Sequence, residues 1–493
     1  MTNSITRVES PTHRLNVAIA GASGFVGRAL VTELVKTHDV IALGRHAATA
    51  EASNARTAVE ARSCDLFNLR DAELALAGAD VAVYLVHSMM PSAHLTQGRF
   101  DDLDLVCADN FARAAARHGI RHIVYLGGLL PASHENLSRH LESRFEVERT
   151  LRSHGAKVTT LRAGLIIGAG GSSFDMMAKL VGRLPFMLCP RWTRSLSQPI
   201  ALGDVVTLLQ LAIARPDLAG RAYDIGGPDV VSYADMLRMM GAAQGTRTRV
   251  ITLPIRTVKL SLLWVSVITG APQALIRPLV ESLSHDMVAT DGLVLQKEAG
   301  LVAQPLRDAL AEAVRDDKRE ATRHATPGPS PHVRRAQRAE KSRRSAAERR
   351  VCSVQRLRVG PRQSASQVAA EYVAWLPRFL RPFLRVSVDD ARTCRIGVWP
   401  LHGALLELTF APERSAEDRQ LFYVTGGLLA GTVSGARARL EFRTVLDGTF
   451  VLAAIHDFVP RLPWFIYKYT QALVHLLVMR AFARRLRIAE AGS

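Results

Sequence analysis

Three glycines spaced three apart stand in the run Gly21-Ala22-Ser23-Gly24-Phe25-Val26-Gly27. That spacing suits binding of a dinucleotide pyrophosphate. Gly21 permits a tight turn, Gly24 lets backbone approach the phosphates, and Gly27 lets a following helix pack closely. The pyrophosphate would sit at the helix N-terminus, where free N–H groups and the helix dipole favour an anion. All seven residues are therefore expected cofactor contacts. A second signal is Gly44-Arg45-His46. NAD-binding chains usually place Asp or Glu at this point, to hold the ribose hydroxyls. A cation suits a 2′-phosphate instead, so Arg45 predicts NADP(H) in preference to NAD(H).

These residues need a strand, a turn, a helix and a second strand to position them. The apolar run Leu15–Ala20 enters the glycine turn, Arg28–Lys36 reads as a helix, and Val40–Leu43 reads as the second strand. Further alternation follows. Val81–Val86, Ile120–Leu126 and Ala156–Ile167 have strand character, and Val106–Arg117 has helical character. Such alternation predicts a Rossmann-like, doubly wound parallel sheet of the α/β class. Phosphates and substrate then belong at the carboxyl ends of the strands. Residues 200–315 read as mostly helical, with a strand signal at Ala222–Ile225, and are expected to form a substrate cap. Within them Leu260–Ile268 is very apolar, but Gly270 and Pro272 stop it short of a membrane span.

The chain has 493 residues, 48% of them hydrophobic, and a net charge of +18. This composition excludes global disorder and predicts more than one domain. The charge favours anionic partners. Five scattered cysteines with no CxxC or Cys/His cluster argue against disulfides or zinc, and for a reducing compartment. The polar segment Met1–Arg14 lacks the apolar core of a signal peptide, so a cytoplasmic location is expected. Residues 316–350 change character. Thr326–Pro331 is rich in proline, and Arg334–Arg350 carries eight Lys/Arg against two Glu. This predicts a basic linker. It has no interleaved aromatic residues, which argues against nucleic acid as its partner.

Residues 351–493 are expected to form a separate α+β domain. Val351–Val359 has strand character, and Ser366–Leu384 holds two short helices broken at Pro377 and Pro382. Strand candidates follow at Thr393–Val398, Leu405–Phe410, Gln420–Thr425, Ala438–Val445 and Phe450–Phe458. A helix from Trp464 to about Arg487 closes the chain. That element order is the one found in helix-grip (START-like) folds, where the last helix lies across a curved sheet. A lipophilic small molecule is the ligand such a domain would suit. Lys468, His475 and Arg480 make the last helix a poor membrane span. Two roles stay open for it: packing on the sheet, and peripheral contact with an acidic membrane at its inner face.

Residues 1–315 resemble the short-chain dehydrogenase/reductase superfamily, and most of all its extended and atypical branches, which include NAD-dependent epimerase/dehydratase-like proteins. The resemblance rests on the glycine run, Cys64-Asp65-Leu66, Asn110, Gly119–Tyr125, Leu161–Gly168, Pro199–Asp204 and Tyr223–Pro228. The whole chain is similar to bacterial proteins that join such a domain to a C-terminal domain of unknown function. The resemblance implies that Asp65 and Leu66 contact adenine, and that Val86 and His87 flank the ribose or nicotinamide. Asp204 and Asp224 fall in family-like motifs with structural roles.

Active members of the superfamily carry Tyr-x-x-x-Lys on a helix, and no tyrosine here has Lys four residues later. His140-Leu-Glu-Ser-Arg144 stands at the expected place, and Tyr125-Leu-Gly127-Gly128 replaces the usual serine motif. The next strand has Ala163 where the family often has proline. Two readings follow. Either His140 serves as acid/base and Arg144 as ribose anchor in an NADP(H)-dependent oxidoreductase or epimerase, acting on a lipophilic or quinone-like molecule. Or catalysis is absent and the nucleotide serves a sensor or scaffold, as in reductase-like accessory subunits of respiratory complex I. The sequence does not fix the oligomeric state.

Overall fold

A computed structural model describes residues 14–45, 59–87, 95–131, 137–246, 248–253, 285–324, 351–360, 363–379, 384–389, 392–399, 403–431 and 438–491. His46, Leu260–Ile268 and the basic run 334–350 lie outside these residues. The chain divides into two compact units. One comprises Met1–Met89 and Cys107–Pro327; the other comprises Met90–Val106 and Gly328–Ser493.

Seven parallel strands build the first unit. In spatial order they are Val59–Ser63, Asp39–Gly44, Asn16–Ala20, Val81–Tyr84, His122–Gly128, Lys157–Ala163 and Ala222–Ile225. The order reverses direction between Asn16–Ala20 and Val81–Tyr84, the crevice where such sheets bind ligands. Alternation explains why the sheet is covered on both faces. Val17 and Ile19 face one core with Leu30, Leu34, Val205 and Leu209. Ala18 and Ala20 face the other, with Phe111, Ala115, Val147 and Leu151. Ala222–Ile225 is the edge strand of this sheet, paired in parallel with Thr160–Ala163, and not a piece of the cap. A third core joins Phe174 and Met177, Met236 and Met240, and Leu306 and Leu310 from three helices. The last of these, Leu306–His324, runs into the stretch that reads as linker in the sequence.

The second unit is an antiparallel sheet packed by helices. Its strands run Leu384–Val388, Cys394–Val398, Leu406–Phe410, Arg419–Gly426, Arg439–Val445, Phe450–Phe458 and Val351–Arg358. An eighth, Leu95–Gln97, pairs in parallel with Val351–Ser353 and comes from a stretch read as part of the first domain. The helices Ala365–Trp375 and Gln471–Ala491 cover one face. Between them and the sheet, aromatic rings touch: Tyr372 with Phe442 and Phe482 at 5.3 and 5.1 Å, and Trp375 with Phe482 at 5.3 Å. The closing helix is broken at Thr470 into Trp464–Tyr469 and Gln471–Ala491. Among the described residues no helix is long and apolar enough to cross a membrane.

Candidate functional site

The glycine turn is built by close backbone approaches. Gly21 has φ +89°, a conformation L side chains rarely adopt. A Cβ on Gly27 would stand 2.1 Å from the Gly21 carbonyl oxygen, so the helix Phe25–Leu34 can begin this close to the strand only with glycine there. The Gly24 N–H donates to the Gly21 carbonyl at 2.9 Å, and Arg28 donates to the Ser23 carbonyl at 2.9 Å. No side chain caps this helix, and its first turn has no acidic residue. Ser23 and Gly24 are exposed, whereas Ala22 is buried. The Phe25 ring packs over the backbone of Gly168 and Gly171, and Val26 lies against the core. An uncapped, acid-free helix start beside an open turn fits a pyrophosphate.

Arg45 follows the strand Asp39–Gly44 and is exposed. The Asp65 carboxylate accepts the Phe67 N–H at 3.1 Å and closes a local turn. Leu66 is buried, and its carbonyl accepts from Asn110 at 2.7 Å. Both therefore hold the loop after the third strand. Asp204 accepts from the Gln304 N–H at 2.8 Å, and Asp224 from the Thr290 N–H and hydroxyl at 2.8 and 2.9 Å. These carboxylates tie loops together.

His87 and His140 stand 53 residues apart in sequence, and the structure brings them together, with His87 Nε2 3.2 Å from His140 Nδ1. His87 follows the carboxyl end of Val81–Tyr84. His140 lies in the first turn of Arg139–Arg152, a helix started by Ser138, whose hydroxyl accepts the Leu141 N–H at 3.4 Å. One ring must donate and the other accept, so the pair in this arrangement shares a single N–H. Arg144, one turn on, donates to the Leu126 carbonyl and to that of Val86, the latter at 3.5 Å. It thereby clasps the ends of two adjacent strands. Its guanidinium lies 5.0 Å from the centre of the Tyr125 ring, and the Tyr125 hydroxyl donates to the Arg144 carbonyl at 3.0 Å. The histidine pair and the Arg144 clasp were not legible as contacts in the sequence. The sequence singled out His87, His140 and Arg144 one by one, through the family resemblance, but not their contacts. Leu129, Leu141 and Met287 form a buried apolar cluster with Leu137 and Ala289.

Three of the five thiols are held protonated near neutral pH. Burial pushes the Cys64 thiol up to about 12, and those of Cys189 and Cys394 up to about 11. Among the described residues no group of three or more His, Cys, Asp or Glu could hold a metal ion.

The sheet order and the glycine turn at its switch point define a Rossmann-type dinucleotide-binding domain. Residues 21–178 match the model of the NAD(P)H-binding family, and this part of the chain is an NAD(P)H-binding domain. The auxiliary protein GraX of Staphylococcus aureus is 28% identical over 113 residues, covering 23% of this chain and 36% of that protein. Subunit 9 of the NADH dehydrogenase [ubiquinone] 1 alpha subcomplex, mitochondrial, of Arabidopsis thaliana is 22% identical over 249 residues, covering 49% of this chain and 61% of the subunit. The chain thus spans less than two thirds of either relative. A crystal structure of a nucleoside-diphosphate-sugar epimerase from Staphylococcus aureus aligns with TM-score 0.49 and 18% identity, covering 60% of this chain and 100% of the epimerase.

Proposed function

We propose that the chain is an NADP(H)-dependent oxidoreductase whose proton-transfer group is the His87–His140 pair. The observation that carries this reading is the 3.2 Å contact between the two rings at the carboxyl ends of the parallel strands. Gly21 to Gly27 would hold the pyrophosphate, and Arg45 the 2′-phosphate. The nicotinamide, when bound, supplies or accepts a hydride. His140 gives a proton to the oxygen of a carbonyl or quinone as it becomes a hydroxyl; His87 passes its Nε2 proton to His140 Nδ1 through their hydrogen bond and takes a proton from solvent at its own Nδ1, so both rings end neutral. Histidine suits this task near neutral pH. Arg144 holds the strand ends on which His87 and the sheet rim depend.

A second reading has its own support. Arg144, in the place of the family's lysine, is engaged with strand-end carbonyls. A nucleotide-binding sensor or scaffold without turnover is consistent with that. Turnover of NADPH with a panel of quinones, menadione among them, separates the two. In the enzyme reading His140→Ala keeps NADPH binding and loses about 100-fold or more in kcat, the usual worth of a positioned acid/base. Unchanged turnover in His140→Ala would remove the histidine pair from the mechanism. NADPH binding with no turnover by the parent chain across the panel would favour the scaffold.

A further inference from the structure

The second unit exposes apolar side chains at one end of its sheet. Four segments meet there. The Leu428 and Leu429 N–H groups donate to the Ala404 and Leu405 carbonyls, each at 3.0 Å, and the Arg461 N–H donates to the Leu429 carbonyl at 3.0 Å. Beneath them Tyr467, Ala472 and Phe458 form a small core with Leu406, Ala430 and Leu462. On the outside, Trp399 is 57% exposed, Leu428 52%, Tyr469 68%, Leu473 52% and Leu477 54%. Isolated exposed apolar residues need no explanation, but a contiguous group marks an interaction site.

The closing helix extends this group in an ordered way. Leu473, Leu477, Arg480, Arg484 and Arg487 recur every three or four residues and are all exposed, so they share one face. Ala472, Met479, Phe482 and Leu486 on the opposite face are buried. The exposed face is therefore apolar in its first half and cationic in its second. From Trp464 to Ala489 the sequence has Lys468, Arg480, Arg484, Arg485 and Arg487 and no Asp or Glu. A partner must offer an apolar phase next to dense negative charge. An anionic bilayer surface does so: acyl chains for the aromatic and aliphatic side chains, phosphates for the guanidiniums.

We propose that the second unit docks on the surface of an anionic membrane through Trp399, Leu428, Tyr469, Leu473 and Leu477, with Arg480, Arg484 and Arg487 on the lipid phosphates. The proposal does not depend on the nucleotide reading, and its test uses no nucleotide. The full chain is sedimented with vesicles of phosphatidylcholine alone and of phosphatidylcholine with phosphatidylglycerol. Binding is expected to the mixed vesicles and not to the neutral ones, and to weaken as salt rises. Leu473→Asp with Leu477→Asp should weaken it at least tenfold, with thermal unfolding unchanged because both side chains are exposed. Arg480→Ser with Arg484→Ser and Arg487→Ser should cost about 100-fold, taking about fivefold for each cation removed from an anionic surface. No binding to mixed vesicles, or equal binding to neutral ones, would overturn the proposal. So would a dimer in analytical ultracentrifugation that the Leu473/Leu477 variant dissolves, since the patch would then join two copies of the chain.

Discussion

Glu441→Gln is expected to cost the second unit about 3–5 kcal/mol of stability, the usual effect of removing one partner from a buried ion cluster. Arg419 and Arg443 are register partners on neighbouring strands, so two like charges stand directly opposite each other. The Glu441 carboxylate lies between them. It accepts from Arg419 Nε at 2.6 Å and Arg443 Nε at 3.0 Å, and all three side chains are buried. Burial alone would push its carboxyl up, but the Arg443 and Arg419 guanidiniums outweigh that and hold it well below the usual carboxylate range. His456 beside it is pushed down to about 3, by burial first and Arg439 next, and so stays neutral and adds no further positive charge to the cluster. Glutamine keeps the shape and removes the counter-charge. Urea unfolding of the variant and parent measures the difference. A loss below about 1 kcal/mol, the range of exposed ion pairs, would mean that the cluster is solvated and not integral to the sheet.

Gly27→Ala is expected to damage fold and nucleotide binding together. Its methyl would meet the Gly21 carbonyl oxygen at 2.1 Å and the Ala22 Cα at 2.8 Å, and neither backbone atom can yield. The helix must move off the turn, at a cost of about 1–3 kcal/mol or more for overpacking. The N–H groups at its start then no longer face the phosphates, and binding should fall more than tenfold. Gly24→Ala is the contrasting case. Its Cβ would stand 3.1 Å from the same oxygen, and the site is exposed. Stability should change little there, while binding falls because the methyl occupies the approach of the pyrophosphate. Thermal unfolding and nucleotide titration of both variants separate the two roles. Equal, small effects on both measurements would contradict the close-packed turn.

Six strands of the parallel sheet were legible because they are largely buried and the glycine run marks one turn unambiguously; the edge strand Val59–Ser63, partly exposed along its length, was not read. Phe450–Phe458 was readable to the residue, and Arg439–Val445 to within one. Leu95–Gln97 was not, since three residues carry no period and the partner, Val351–Ser353, is remote in sequence. Leu384–Val388 was missed for a similar reason: it is short and follows Pro382 closely. The break at Thr470 has no glycine or proline to announce it; the residue sits at φ −125° and ψ −86°. Ala222–Ile225 showed its strand character, but nothing local said which sheet it joins. The site divided in the same way. The glycine turn is local and could be read directly. The meeting of His87 with His140, and the reach of Arg144 to two strand ends, depend on strand order and helix placement.

The proposed NADP(H) site is formed by the glycine turn and Arg45. Titration of the purified chain with NADPH and with NADH, followed by nucleotide fluorescence, is the experiment to do first. Tighter binding of NADPH is expected. Arg45→Ala should weaken NADPH by about 10- to 100-fold, the worth of a charge-assisted hydrogen bond, and leave NADH nearly unchanged. Binding of neither nucleotide, or equal binding of both that ignores Arg45→Ala, would contradict it.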